Sequence, residues 1–284
     1  MTSLRGLRTA AAAASLLVLA ACAQPSSSSS AAAAPSASSP ASPDDLILRV
    51  ASVGGFVTPD MRAGRLPTTS IYADGRVIVP GPEVMIYPGP ALPNLQIGSI
   101  TPEQAQKLVE EAVAAGVRTG ADFGQPGVTD IPATRITAGD QTVGVEALRE
   151  AQADDPALTA AQKDARAKLT AFLEKLDRIT SELQTTAYEP EVLAAVVSPY
   201  VEPGDDQLAR PQAVDWPGEA LPGEPIGAGL HCVTAAGDQK ENILAAAKTA
   251  VTTTPWVSGG NGWSVRLRPL LPDETGCGDL KDAQ

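Results

Sequence analysis

The sequence predicts an α+β fold: two small antiparallel-sheet-plus-helix units behind a disordered amino-terminal tether. Three observations carry that expectation. Three stretches repeat apolar residues every three or four positions, the period of a helix with one buried face. Between them lie short alternating runs separated by Gly- and Asp-containing turns, the pattern of antiparallel strands. The first 43 residues hold one short apolar run and then a stretch of Ser, Ala and Pro with nothing to bury.

The first unit, about 44–186, opens with a strand over Leu46–Ser52 that runs into Gly54-Gly55-Phe56. Thr68–Tyr72 and Arg76–Val79 flank Asp74-Gly75, a dipeptide that favours a two-residue type I′ turn. Val84–Tyr87 and Leu95–Ile100 are shorter strand candidates. Thr101-Pro102-Glu103-Gln104 is a capping box with Pro at the first helical position. Ala105, Leu108, Val109, Ala112 and Val113 mark the inner face of that helix, and Gly116 stops it. Ala133–Thr137 and Thr142–Leu148 form a second hairpin across Gly139-Asp140. Thr159 to Gln162 repeats the capping box ahead of Ala165, Leu169, Phe172, Leu173, Leu176, Ile179 and Leu183 at helical spacing.

The second unit, about 187–284, begins with a strand over Val192–Val197. The Pro- and Gly-rich run from Glu202 to Gly229 is expected on the surface. His231–Ala235 reads as a strand, and Asp238 to Glu241 opens a third helix with Ile243, Leu244, Ala247, Ala250 and Val251 inward. Trp263, Val265 and Leu267 alternate with polar residues, as a half-buried closing strand requires. The boundary near 187 is soft, because the helix over 159–183 can pack against both halves.

With 43% apolar and 19% charged residues, the chain is neither a disordered acidic polymer nor a multi-span membrane protein. Its 33 Asp and Glu against 21 Lys and Arg leave a formal net charge of −12, which repels phosphate backbones and argues against nucleic acid as a partner. A single histidine removes His-rich zinc sites and catalytic arrangements of several imidazoles. No metal, cofactor or catalytic residue is expected.

Arg5 and Arg8 precede an apolar run from Thr9 to Ala21, too short for a permanent span but suited to a secretory signal. The run ends in Leu19-Ala20-Ala21-Cys22, and here the sequence resembles bacterial lipoproteins, whose lipobox is an aliphatic residue, two small residues and a Cys. The resemblance implies a signal peptide over 1–21, a diacylglycerol on the Cys22 sulfur, and a freed amine that can take a further acyl chain such as palmitate. Two other readings stay open. One is an ordinary signal cut after Ala23, since Ala21-Cys22-Ala23 is also small-x-small; the other is an unprocessed Ala-rich helix. A lipid anchor would hold the protein on the extracytoplasmic face of the cell membrane, each buried methylene contributing about 0.8 kcal/mol. The lipidated Cys and tether would occupy 22–43, whose spacer averages about 25 Å as a coil and reaches about 70 Å stretched. Loss of residues 1–21 removes two arginines and no acid, giving 19 − 33 = −14, a charge not drawn to anionic lipid.

With Cys22 lipidated, Cys232 and Cys277 remain. An oxidising compartment favours their one possible pairing, which closes a loop of about 45 residues and stabilises by roughly 4 kcal/mol on the chain-entropy account. His231 beside Cys232 makes no nucleophile–base pair, because neighbours on a strand point to opposite faces.

From residue 44 onward the chain resembles a family of secreted and lipid-anchored proteins of high-GC Gram-positive bacteria. The likeness lies in LRVASVGGF (48–56), IYADGRVI (71–78), IYPGPALP (86–93), VDWP (214–217), TPWVSGG (254–260) and RPLLPDETGC (268–277). It implies a location and brings no activity. The first unit is also similar in layout to emfourin-type inhibitors of thermolysin-like metalloproteases: Gly-Gly-Phe after a first strand, a capped helix, a paired-strand segment and a closing helix. That likeness implies inhibition through residues 54–56, although the insertions here are longer.

Gly54, Gly55 and Phe56 are thus a candidate contact loop, against the plainer reading of a tight turn. Trp256 and Trp263 flank Ser258-Gly259-Gly260-Asn261-Gly262, an arrangement that can stack on a sugar or peptide. The plainer reading places both, with Trp216, in a core. The acidic pairs Asp44/Asp45, Asp154/Asp155, Asp205/Asp206 and Asp273/Glu274 lack calcium-loop order and read as solvated loop charge. The role this supports is non-catalytic binding in the envelope, of a protein partner, a protease to be inhibited, or wall polymer. The alternative is an envelope hydrolase using paired carboxylates.

Overall fold

The computed structural model describes residues 42–202, 204 and 210–281. The signal segment, Cys22, the tether up to residue 41 and the Asp205/Asp206 pair lie outside the described residues. The described fold is α+β, as the alternation of helical and strand patterns requires.

The first sheet contains β1 (Leu46–Val53), β2 (Thr69–Tyr72), β3 (Arg76–Pro80), β4 (Leu95–Ser99), β5 (Ala133–Ala138), β6 (Gln141–Glu146) and β7 (Thr186–Ala187). They lie in the order β6-β5-β1-β2-β3-β4-β7, antiparallel throughout. One short helix, α1 (Pro59–Ala63), sits between β1 and β2; α2 (Pro102–Ala115) and α3 (Ala160–Ser181) follow later. Leu48, Ile71, Val77, Ile136 and Val143 of the sheet pack against Leu108 and Val109 of α2 and Leu169, Phe172, Leu173 and Leu176 of α3. Both long helices start at complete capping boxes. Thr101 Oγ1 accepts from Gln104 N at 3.2 Å while Gln104 Oε1 accepts from Thr101 N at 2.9 Å, and Thr159 and Gln162 repeat the exchange.

The second sheet contains β8 (Val192–Pro199), β9 (Val214–Asp215), β10 (Glu224–Gly227), β11 (Leu230–Ala236), β12 (Pro255–Ser258) and β13 (Asn261–Pro269). Its order is β10-β11-β8-β13-β12-β9, and β12 with β9 is the parallel pair. Helix α4 (Gly237–Ala247) covers one face, where Ile243 joins Trp216, Trp256, Leu193 and Leu267. On the other face Val196, Leu230 and Cys232 meet Leu270, Leu280 and, from α1, Ala63. Cys232 and Cys277 form a disulfide with Cα atoms 5.9 Å apart, both buried in that second cluster.

Several local expectations are corrected. Val84–Tyr87 is no strand but an exposed loop, for its flanking prolines withhold ladder N–H groups. The first hairpin turns over three residues: Gly75 N donates to Tyr72 O at 2.9 Å, Gly75 alone takes positive φ (91°), and the extra residue replaces the type I′ turn. The third helix starts at Gly237 without a side-chain cap and stops at Ala247, so Ala250 is buried beyond it. The run 202–229 is not all surface, since it contributes β9 and β10 and buries Trp216 and Leu221.

The stretch 268–277 stitches the sheets together. Arg49 of β1 holds Asp273 with two hydrogen bonds, 2.7 and 2.9 Å, and Tyr72 donates its hydroxyl to the same carboxylate at 2.8 Å. Arg268 of β13 grips Glu274 at 2.6 and 2.9 Å, and Glu274 also accepts from Leu271 N at 2.8 Å. The Tyr188 hydroxyl donates to Leu270 O at 2.8 Å. Asp273 and Glu274 are therefore not solvated loop charge. The Arg268 and Glu274 side chains retain 4% and 11% of their exposure, a burial that only a paired charge tolerates.

Candidate functional site

Strand register decides which loops share an end of the first sheet. Val53 pairs with Ala133, Val50 with Thr69, Ser70 with Ile78 and Pro80 with Leu95. The connections 54–68, 81–94 and 124–132 consequently all leave at that end. The chain comes in at the opposite end, where Arg76 binds Pro43 O at 3.0 Å and Asp44 at 2.5 Å. The length of β1, roughly 25 Å at about 3.4 Å per residue, separates the two ends.

Seven of the eight large apolar side chains exposed among the described residues lie on those three connections: Phe56, Met61, Val84, Met85, Ile86, Tyr87 and Val128. Phe56 is 90% exposed and Met85 fully so. Exposed apolar side chains gathered as a rim at one end of a sheet mark an interaction surface more often than singly scattered ones do.

The rim is held in place from behind. Gly54 and Gly55 take successive positive φ values of 69° and 79°, a path that a side chain would strain, and so turn Phe56 outward. Arg65 clasps the turn by donating to Ser52 O and Gly54 O at 3.2 and 3.0 Å. Across from it, Gly81 N donates to Asn94 O at 2.8 Å and Asn94 Nδ2 to Pro82 O at 2.8 Å, closing the base of the second loop. Its far limb is tied to residues 250–252 through Ala91 N to Ala250 O and Thr252 N to Gly89 O. Below the rim, Asp60 of α1 receives the Arg266 guanidinium at 2.9 Å. Burial pushes the Asp60 carboxyl up, but hydrogen bonds from Thr58 and Arg266 outweigh it and hold the group below the usual carboxylate range.

Of the residues singled out from the sequence, Gly54, Gly55 and Phe56 stand on this rim. The two tryptophans do not. Trp256 has no exposed surface and meets Trp216 edge-to-face, centroids 5.4 Å apart, so it cannot stack on a ligand from solution. Trp263 is half-buried against the same core, with Nε1 donating to Ser258 O at 3.4 Å. The polar loop between them is a tight hairpin whose Gly259 and Gly260 both take positive φ, 60° and 78°, the type I′ signature. Asp155 is likewise no solvated charge: it accepts from Ala157 N at 2.8 Å and Gly127 N at 2.9 Å, which lowers its pKa. His231 is half-buried on β11, and its Nδ1 makes no hydrogen bond.

The 84–87 loop escaped sequence reasoning because four consecutive apolar residues also describe a buried strand. The signal against that reading was proline on both sides. Among the described residues no group of His, Cys, Asp and Glu has the arrangement of a metal site, and no helix is long and apolar enough to cross a membrane. Comparison with protein-family models, curated proteins and solved structures finds no match.

Proposed function

We propose that the chain is a lipid-anchored protein of the cell envelope that binds a protein partner, without catalysis, through the apolar rim. The observation that carries this reading is the gathering of seven exposed apolar side chains at the end of the first sheet opposite the incoming chain. An anchor at Cys22 and a spacer to residue 43 would join the domain at the sheet end opposite that rim and leave the rim free for a partner. The disulfide supports export, since such bonds persist in oxidising compartments. Among the acidic pairs, Asp273 and Glu274 are each held by an arginine and offer a hydrolase no free carboxylates.

Two measurements test the two halves of the proposal. Cys22→Ala releases the protein from the membrane into the medium; retention on the membrane defeats the anchor. A photo-reactive residue at Phe56 cross-links a protein in intact cells, whereas one at Lys168 on the exposed face of α3 does not; equal labelling from both positions defeats the rim. Protease inhibition is one concrete form of this role, favoured by the outward Phe56 on its clasped turn. The full-length protein then slows a thermolysin-like metalloprotease, and Phe56→Ser abolishes the effect.

A further inference from the structure

Beside the second rim loop lies a cleft of about 530 Å³ that the rim alone does not explain. Its size falls within the range of about 300–1,000 Å³ that ligand sites occupy, and it sits where a loop of the first sheet meets strands of the second. Val84, Ile86 and Leu92 form an apolar wall. The floor is a pair of strands: Ser198 on β8 stands directly opposite Ser264 on β13, and Val196 opposite Arg266. That floor offers hydroxyl donors and acceptors suited to a peptide main chain. Arg266 and Asp60 bond to each other at one end and cancel in charge. Glu83 remains, exposed, at the lip, and makes no ion pair among the described residues.

We infer that this cleft binds an extended peptide segment of a partner protein, one that sets an apolar side chain against Val84 and Ile86 and a Lys or Arg beside Glu83. The inference rests on the reading of the rim as a binding face and adds the chemistry of what the face takes. Charge selects this occupant over a lipid surface. From Val77 to Gln106 the charged side chains are Glu83 and Glu103, both acidic, so the loop offers nothing cationic to anionic headgroups. The net charge of the whole chain, −12, favours a basic partner and opposes a second copy of itself.

The test pans random dodecapeptides displayed on phage against the full-length protein in detergent. The enriched peptides carry Lys or Arg next to an apolar or aromatic residue. A synthetic copy binds the wild-type protein, weakens by about tenfold or more with Glu83→Lys and with Ile86→Asp, and is unchanged with Lys168→Ala. Enrichment of acidic or uncharged peptides, or indifference to both cleft variants, overturns the inference. So does an Ile86-dependent flotation with phosphatidylglycerol–phosphatidylethanolamine vesicles, or an Ile86-dependent self-association in sedimentation, for then lipid or a second copy covers the cleft. If Phe56 still cross-links a protein in cells while no basic apolar peptide binds, the rim stands and the cleft proposal falls. If Phe56 labels nothing while such peptides bind through Glu83 and Ile86, the rim reading falls and the cleft stands.

Discussion

The seam over 268–277 and the apolar rim handle misplaced chemistry in opposite ways. The seam buries charge, and each charged group there has a bonded partner: Arg49 with Asp273, Arg268 with Glu274, the Tyr72 hydroxyl with Asp273. Burial alone would lower the Arg49 pKa, yet the adjoining Asp273 outweighs it and raises the value; burial and then Asp273 raise that of Tyr72. The rim leaves apolar side chains in water, Phe56 at 90% and Met85 at 100% exposure. A fold tolerates the first because a paired charge regains in Coulomb attraction and hydrogen bonds what it loses in hydration. It gains nothing from the second, since an apolar side chain fully in water contributes no burial. Seam residues should therefore govern stability and rim residues binding.

The largest effect expected is at the seam. Arg268→Ala leaves the Glu274 carboxylate buried without its guanidinium and lowers the unfolding free energy by about 3–5 kcal/mol in urea titrations. A loss below about 1 kcal/mol would mean that water reaches Glu274 and that the seam is surface. Next comes the staple beside it. Cys277→Ser opens the 45-residue loop and costs about 2–4 kcal/mol, read in the same titration. An unchanged midpoint would show that the seam holds the carboxy-terminal stretch by itself.

Acid sharpens the contrast further. Hydrogen bonds from Ala157 N and Gly127 N hold the Asp155 carboxyl below its ordinary range. Burial pushes the Asp279 carboxyl up, but bonds from the Thr275 and Gly276 N–H groups outweigh it and lower the value. A carboxyl depressed in the folded state adds stability that is complete above its unfolded pKa, near 3.9, and disappears as pH falls through the folded value. Stability is expected to hold from neutral pH to about 5 and to decline below about 4. Asp279→Asn flattens that decline.

What could be read in the sequence was local. The capping boxes at Thr101 and Thr159 span four residues each, and both helices start directly after the capping threonine, at Pro102 and Ala160. The disulfide was legible because reading Cys22 as a lipid site leaves Cys232 and Cys277 as the one pairing, and that pair is bonded. The seam was not legible: Arg49 and Asp273 are 224 positions apart, and no periodicity links a β1 arginine to an acid near the carboxy terminus. The same holds for Arg166, which lies buried in α3 and donates to the carbonyls of Phe123, Glu146 and Ala147 rather than to an acid. Half of the candidate site was legible. Gly-Gly ahead of a lone Phe announces an outward turn, but Val-Met-Ile-Tyr looks the same whether it enters a core or leaves it. Trp256 failed as a contact residue for a related reason, since a scarce large aromatic serves a small core first.

The smallest expected change in stability is also the one that decides the comparison. Phe56→Ser and Met85→Ser remove side chains that are 90% and 100% exposed, so each should move the unfolding free energy by less than about 0.5 kcal/mol. Cross-linking to a partner, tested with the photo-reactive group placed at Val128 instead, should fall to background in both variants. The pairing of no stability change with full loss of binding is what a surface kept apolar for a partner produces. A stability loss above about 1 kcal/mol in either variant would instead place that side chain in the packing of the first sheet. Its exposure would then no longer point to a partner, because the fold itself would be what keeps it apolar.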